Sequence, residues 1–559
     1  MDSRITRRTF VQTSCAAASL AAVNMLRPRR ATAQQLPATM GNSSLSPYAL
    51  LQPPIAPADL RSLATGAVEA ATHAGATYAD VRVGEQHKLL LGWDRRAELS
   101  VYIESRFTYG IRALVDGAWA FTHGSEPTTD AVVTSARDAV TMARAYGPFV
   151  VHRAELAPTP VVTGEWSTPV KIDPFAVPLR DHHAMLDSYD QLRRRVQQPK
   201  TYLAATRCNW TRETRVFASS EGTLTLQQLR NVEPGMGARV SCPGASVALR
   251  FLPWAAASGG YELVADPTRY EEAFLALVET TARYGMLPER TLDVGRYPVA
   301  FDGGSTGVVL GHTIGPALEL DRVLGEEADA SGTSYLGPPL EMLGTTIANP
   351  QLSITATRAM PAFCAVQWDD EGVAPHDYPV ITGGRLVDYH TTRWTAPALA
   401  SWYTQQGQPL RSHGCATVAE TSEPLAVRAP LLRMAPAPSS ASVEALCKDI
   451  KEGLLVTGID AYHTDQQFAS GEIAGKDMEA GVILKIARGK IVGRITGNGL
   501  EMSTKRFWKE QLVTLGDAST VQQKDLEVTK GMPWRSAWQS VSAPAALFKD
   551  VNVVAYPGR

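Results

Sequence analysis

No CxxC pair occurs among the 6 cysteines of this 559-residue chain, which excludes a zinc ribbon and a thioredoxin-like redox site. Cys208, Cys242, Cys364, Cys415 and Cys447 follow Cys15 at spacings that suggest no disulfide framework. No GK[ST] follows the glycines at 303–304, so a phosphate loop is not expected. Ser305, in Gly303-Gly304-Ser305-Thr306-Gly307, reads as a helix entrance and not as a nucleophile elbow. Neither sign of charge dominates. With 54 Lys and Arg against 56 Asp and Glu, the net charge of −2 gives no pull toward nucleic acid or an anionic membrane. No stretch approaches the roughly 20 apolar residues of a membrane span, and no internal repeat is visible. What is present is an ordinary globular share of hydrophobic residues, 44%.

The N-terminus carries three signals in order. Thr6-Arg7-Arg8-Thr9-Phe10-Val11 is a twin-arginine pattern, a weakly apolar run extends from Val11 to Leu26, and Ala31-Thr32-Ala33 is a small-x-small cleavage signature. The expectation is a signal peptide over residues 1–33. Twin-arginine export then delivers the chain to the periplasm or the cell exterior, with no membrane attachment after cleavage. Gln12-Thr13-Ser14 before Cys15 makes a poor lipoprotein box.

Residues 34–57, rich in Pro, Ser and Ala, read as a linker or draped arm. Apolar residues at helical spacing predict a helix over 60–74. Asp116-Gly117 between 109–115 and 118–122 predicts a tight hairpin. Thr128-Thr129-Asp130 caps a helix over 131–146. Further helices are predicted over 179–196 and 267–284, and short strands over 214–218 and 223–226. Helices and strands do not alternate as βαβ units, so the class is α+β. The division falls near 287–296, giving domains over 58–290 and 291–559. The second is strand-rich with one long helix, about 305–324. Hairpins are predicted at Gly383-Gly384 and at Arg488-Gly489-Lys490.

That long helix carries Leu310-Gly311-His312-Thr313-Ile314-Gly315-Pro316-Ala317-Leu318-Glu319-Leu320-Asp321. Pro316 and Gly311 disfavour a regular helix by about 3 and 1 kcal/mol, so it is expected to bend there or to start nearer Ile314. His312 and Glu319 share a face but stand roughly 10.5 Å apart along the axis, too far to hold one ion. His413 and Cys415 would face one side of a strand, which suits a soft metal, but two ligands are not a site. Asp369-Asp370-Glu371-Gly372 reads as an acidic turn more readily than as an acid–base pair. His182-His183 is expected to be solvated.

Several stretches together resemble one family. They are YADVRV (78–83), YGIRALVDGAWAF (109–121), TPVKIDPF (168–175), GPALELDRVLG (315–325), SGTSYL (331–336), DDEGV (369–373), Gly414-Cys415 and GNGLEMSTKRFW (497–508). The chain resembles the TldD/TldE (PmbA) family, the metalloprotease-like modulators of gyrase. Active members carry HExxxH on the helix and a Cys ligand in a CGKGQP-like stretch. The resemblance puts Gly311 and Pro316 at the two His places and His312 at the place of the base. It puts Val528 of Val528-Thr529-Lys530-Gly531-Met532-Pro533 at the Cys place. The zinc motif is thus degenerate, and no cofactor is expected in this chain. Glu319, Asp369, Asp370, Glu371, His413 and Cys415 are expected to line the cleft, and His463 has no assigned role.

The family works as dimers in which TldE-type members lack the zinc motif and pair with a TldD-type subunit that keeps it. The resemblance implies a non-catalytic subunit that forms half of a chamber for small or unfolded peptides, with zinc in the partner. Two other readings stay open. One is an active zinc metallopeptidase with replacement ligands from His312, His413, Cys415 or His463. The other is a homodimeric peptide-binding or structural protein. The flank 317–322 resembles zinc-bearing members more than TldE-type ones, so the pairing preference is open too.

Overall fold

Four strands of 16 to 19 residues organise the first half: Tyr78–Trp93, Leu99–Val115, Thr201–Ser219 and Leu224–Val240. The computed structural model describes residues 32–555 except 37–42, 52, 94–98, 196–200, 241–248, 253–256, 267, 329–330, 359–361, 440, 460–461, 474–480 and 533. The twin-arginine segment, Cys15 and Cys242 lie outside the described residues.

The sequence led us to expect much shorter strands. Charged residues at alternate positions, such as Lys88, Arg106 and Glu213, hide their apolar periodicity. A strand shows its two faces at alternate residues. One face of this sheet is apolar. Val81, Val83, Ile111 and Val216 are buried there beneath two helices, α1 (Pro57–His73) and α2 (Thr129–Tyr146). Thr128 caps α2 by accepting from Ala131 N–H at 3.3 Å. Farther along, Leu89, Leu91 and Trp210 pack with Leu179, Met185 and Leu186 of α3 (Leu179–Arg195). The other face is charged, and the second half docks on it.

The stretch read as a linker or arm begins as a strand. Thr32–Leu36 pairs antiparallel with 101–105, and Tyr48 OH then donates to Asp173 at 2.5 Å. His182, expected in solvent, is buried instead. It meets the Trp210 ring edge-on at 4.7 Å, because α3 lies flat on the sheet. α4 (Thr268–Gly285) packs on both Leu224–Val240 and Lys490–Ile495.

The second half, like the whole, is α+β and strand-rich. A ten-stranded and a six-stranded sheet enclose α5 (Gly303–Ala317). A helix apolar all round is stable only when buried all round, and among its residues His312 alone escapes full burial. The predicted long helix is therefore shorter and starts earlier than expected. Asp302 caps it, accepting from Ser305 N–H at 2.7 Å. It stops at Ala317, one residue past Pro316, and Glu319 turns extended so that Leu320 N–H donates to His390 O. Leu320–Val323 is a separate turn. The second-half hairpins sit where predicted, but the one at 488–489 is a two-residue turn. Arg488 and Gly489 take φ of 52° and 72°, as such a turn requires.

Candidate functional site

The helix α5 is locked by packing. Gly303, Gly307, Gly311 and Gly315 recur every fourth residue, forming one stripe. Against three of them lie side chains of the hairpin made by Gln522–Lys530 and Arg535–Ala543. A Cβ built on Gly311 would lie 2.3 Å from Leu526 Cδ1 and 3.0 Å from Val541 Cγ1. Val528, 9% exposed, belongs to the same core.

Gly311, Pro316 and Val528, the places that the sequence resemblance puts opposite zinc ligands, hold no donor atom in their side chains. At Gly311 the space an imidazole would need is also filled by hydrocarbon. These residues do not fit a zinc ion. Among the described residues, no group of three His, Cys, Asp or Glu could hold a metal. His312 lies 6.4 Å, ring to ring, from Tyr462, and burial, then His463, push its pKa down to about 4. Ser305 completes a GxSxG spacing within Gly303-Gly304-Ser305-Thr306-Gly307. It is fully buried at a helix start and faces Ile459 N–H at 3.4 Å, so no elbow is formed.

Past the helix end, Glu319 turns into a buried ionic cluster. Fully buried Lys530 Nζ donates to Glu319 Oε2 at 2.8 Å, Asp321 Oδ1 at 2.6 Å and Val427 O at 2.8 Å. Arg322 Nε donates to Glu319 Oε2 at 2.8 Å. Burial alone would raise the Glu319 carboxyl, but Lys530, then Arg322, override it and hold it down at about 2. The cluster ties the flank of α5 to the strand that carries Val528.

His413 and Cys415 meet around Tyr378. The His413 ring stacks on Tyr378 at 3.8 Å, and Cys415 Sγ lies 3.1 Å from Tyr378 OH. Gly414 between them takes φ of 72°, so this is a bend and not an extended strand. His413 Nε2 lies 2.8 Å from Asp388 Oδ2, and its Nδ1 lies 2.9 Å from His376 Nε2. His390 Nδ1 lies 2.6 Å from Tyr378 OH. Burial pushes the Cys415 thiol up to about 12, which keeps it protonated and a poor metal ligand. Sequence reasoning missed His376, Tyr378, Asp388 and His390. The signal was there: His-Asp-Tyr at 376–378 and Asp-Tyr-His at 388–390 stand symmetrically about the Gly383-Gly384 turn, so a hairpin brings them together.

Burial holds His182 and His376 at about 4 and His390 at about 3, against an ordinary 6.5. Their neutral forms stabilise the fold fully above pH 6.5, and that contribution is lost as pH falls through this range. For fully buried His182 the shift corresponds to about 3 kcal/mol. His312 adds to the trend, and the carboxyls that burial raises, Asp369 and Glu326 to about 7 and Glu213, Asp321 and Glu423 above their ordinary range, offset part of it. Urea denaturation is expected to show stability falling from pH 6.5 toward 4. A flat or rising profile would contradict this placement of the rings.

Asp369, Asp370 and Glu371 form a turn that latches the halves together. Asp370 pairs with Arg215, which also holds Glu213 at 2.7 Å. Glu371 accepts from Arg112 Nη2 at 2.9 Å and from Arg393 N–H at 2.7 Å, and Arg112 holds Asp80 at 2.5 Å. Asp369 caps the turn, accepting from Glu371 N–H and Val373 N–H at 2.9 Å each. Asp369 and Asp370 also line a cavity between the halves. The structure therefore does not gather the sequence-predicted residues into one centre. It distributes them among a packed helix, an ionic cluster, a Tyr–His cluster and a latch.

Residues 294–555 match the family model described as the PmbA/TldA metallopeptidase C-terminal domain. The fold is similar to that of a protein described as a modulator of a DNA gyrase from Thermotoga maritima. The TM-score is 0.64 at 15% identity, over 87% of this chain and 98% of that one. TldE from Thermococcus kodakarensis is similar at a TM-score of 0.61 and 14% identity, over 87% of this chain and 99% of that one. A protein from Bacteroides thetaiotaomicron described as a modulator of DNA gyrase is similar at a TM-score of 0.63 and 14% identity, over 89% of this chain and 98% of that one. No curated protein matches the chain. Residues 294–555 thus match the PmbA/TldA metallopeptidase C-terminal domain, and the chain as a whole shares the fold of these TldE and gyrase-modulator structures.

Proposed function

We propose that this chain is the non-catalytic, TldE-like subunit of an exported heterodimeric metalloprotease. The observation that carries the reading is the contact of Leu526 and Val541 with Gly311, which leaves no room for a ligand at the first zinc position. The partner is a TldD-type subunit with an intact HExxxH, which brings the zinc and hydrolyses small or unfolded peptides. This chain encloses one side of the chamber. The twin-arginine pattern at 6–11 supports a periplasmic or secreted location.

Affinity capture of the tagged chain from its native envelope tests this. The expected result is co-purification of an HExxxH-bearing relative and peptidase activity that a chelator abolishes. Activity from this chain alone would favour replacement ligands, and capture of self alone would favour a homodimer. Either outcome sinks the proposal.

A further inference from the structure

The cavity between the halves, about 410 Å3, opens on the charged face of the first-half sheet, a size suited to a small ligand. Six carboxylates and three cations line it, so its walls carry an excess of negative charge. The cations are shared between carboxylates. Arg215 serves both Glu213 and Asp370, and Arg106, outside the wall, serves both Glu104 and Glu420. Glu423 accepts from Ala419 N–H at 2.9 Å and forms no salt bridge among the described residues.

Glu213 shows the imbalance most clearly. It is 8% exposed, and Arg215 Nε and Nη2 both donate to its Oε1, at 2.9 and 2.7 Å. Its Oε2 receives no hydrogen bond among the described residues and stays open to the cavity that Glu213 lines. Lys88 and Arg358, the other cations of the wall, form no salt bridge with it. A largely buried carboxylate oxygen without a donor is costly. Burial lifts the Glu213 carboxyl above its ordinary range against the pull of Arg215. A ligand ammonium or guanidinium supplies the donor and the charge that are lacking.

The rest of the wall suits the same ligand. The Phe363 and Trp538 rings lie 5.1 Å apart, and Trp368 stands with them in the lining. Aromatic faces attract cations, and the stems of Lys and Arg pack along apolar surface while their heads seek charge.

We propose that this cavity binds a basic side chain of a peptide. Glu213 and Glu423 take the charged head, and the alkyl stem lies against Phe363, Trp368 and Trp538. The proposal rests on the peptide-handling reading above and names its substrate class, but it needs no zinc-bearing partner.

The test uses the full chain purified alone at neutral pH, titrated with acetyl-alanyl-lysyl-alanine amide and with the norleucyl peptide, which keeps the stem and lacks the charge. Calorimetry and tryptophan fluorescence follow binding. The lysyl peptide is expected to bind about tenfold or more tightly. Glu213→Gln is expected to remove most of that preference and Glu423→Gln part of it. Trp538→Ala is expected to weaken both peptides and leave their ratio in place. Cadaverine, the same ammonium and stem without a peptide, is expected to bind more weakly than the lysyl peptide. Absence of binding, equal affinity for the lysyl and norleucyl peptides, or cadaverine bound as tightly as the lysyl peptide would overturn the proposal. The lysyl–norleucyl comparison on the unaltered chain stands even if Glu213→Gln misfolds. A lysyl preference alongside a failed envelope capture would sink the heterodimer reading alone, and equal binding alongside a successful capture would sink this proposal alone.

Discussion

Lys530→Met is expected to destabilise the chain by about 3–5 kcal/mol, the range seen when one partner of a buried ion pair is removed. Lys530 is fully buried and donates to Glu319, Asp321 and Val427 O. Without it, two carboxylates remain in a water-excluded site with Arg322 as the closest remaining cation. Typical domains are stable by only about 5–15 kcal/mol, so the loss is a large fraction of the whole. The double variant Lys530→Met with Glu319→Gln should recover part of it, because it removes one of the stranded charges. Chemical denaturation of the three proteins measures both effects. A loss below about 1 kcal/mol, the scale of an exposed pair, would mean that water reaches the cluster.

Gly311→His is expected to damage the fold without creating a metal site. Its Cβ alone would stand 2.3 Å from Leu526 Cδ1, and the ring adds five more heavy atoms in a packed layer. Overpacking a core typically costs about 1–3 kcal/mol, and this substitution belongs at or above the upper end. The small gain from removing a helix glycine, about 0.5–1 kcal/mol, does not offset it. Placing donors at all three positions together, Gly311→His, Pro316→His and Val528→Cys, should likewise yield a destabilised chain and no bound zinc. Denaturation midpoints and metal analysis of these variants check the expectation. Wild-type stability with stoichiometric zinc would show that the hairpin can withdraw from the helix.

The helices and tight turns were legible because their signals are local. Thr128 caps a helix, and Asp116-Gly117 supplies the positive φ that its hairpin needs. That Gly311, Pro316 and Val528 offer no donor atom was legible because donor atoms are a property of residue type. The long strands were not, since half of each faces ion pairs from distant sequence. Arg112 and Glu371, for example, are 259 residues apart. The end of α5 was misjudged for a related reason. Pro316 weakens the helix locally, but the stop at Ala317 is fixed by Glu319 reaching Lys530, 211 residues away. No local spacing announces such a partner. Nor could sequence show that Leu526 and Val541 fill the place beside Gly311, and this packing turns a missing ligand into a closed site.

Zinc quantification on the chain purified by itself at neutral pH, without chelators, tests the account most directly. The account predicts a zinc content far below one per chain, unchanged after incubation with excess zinc and desalting. One tightly held zinc per chain, bound by this polypeptide's own side chains beside α5, would contradict it.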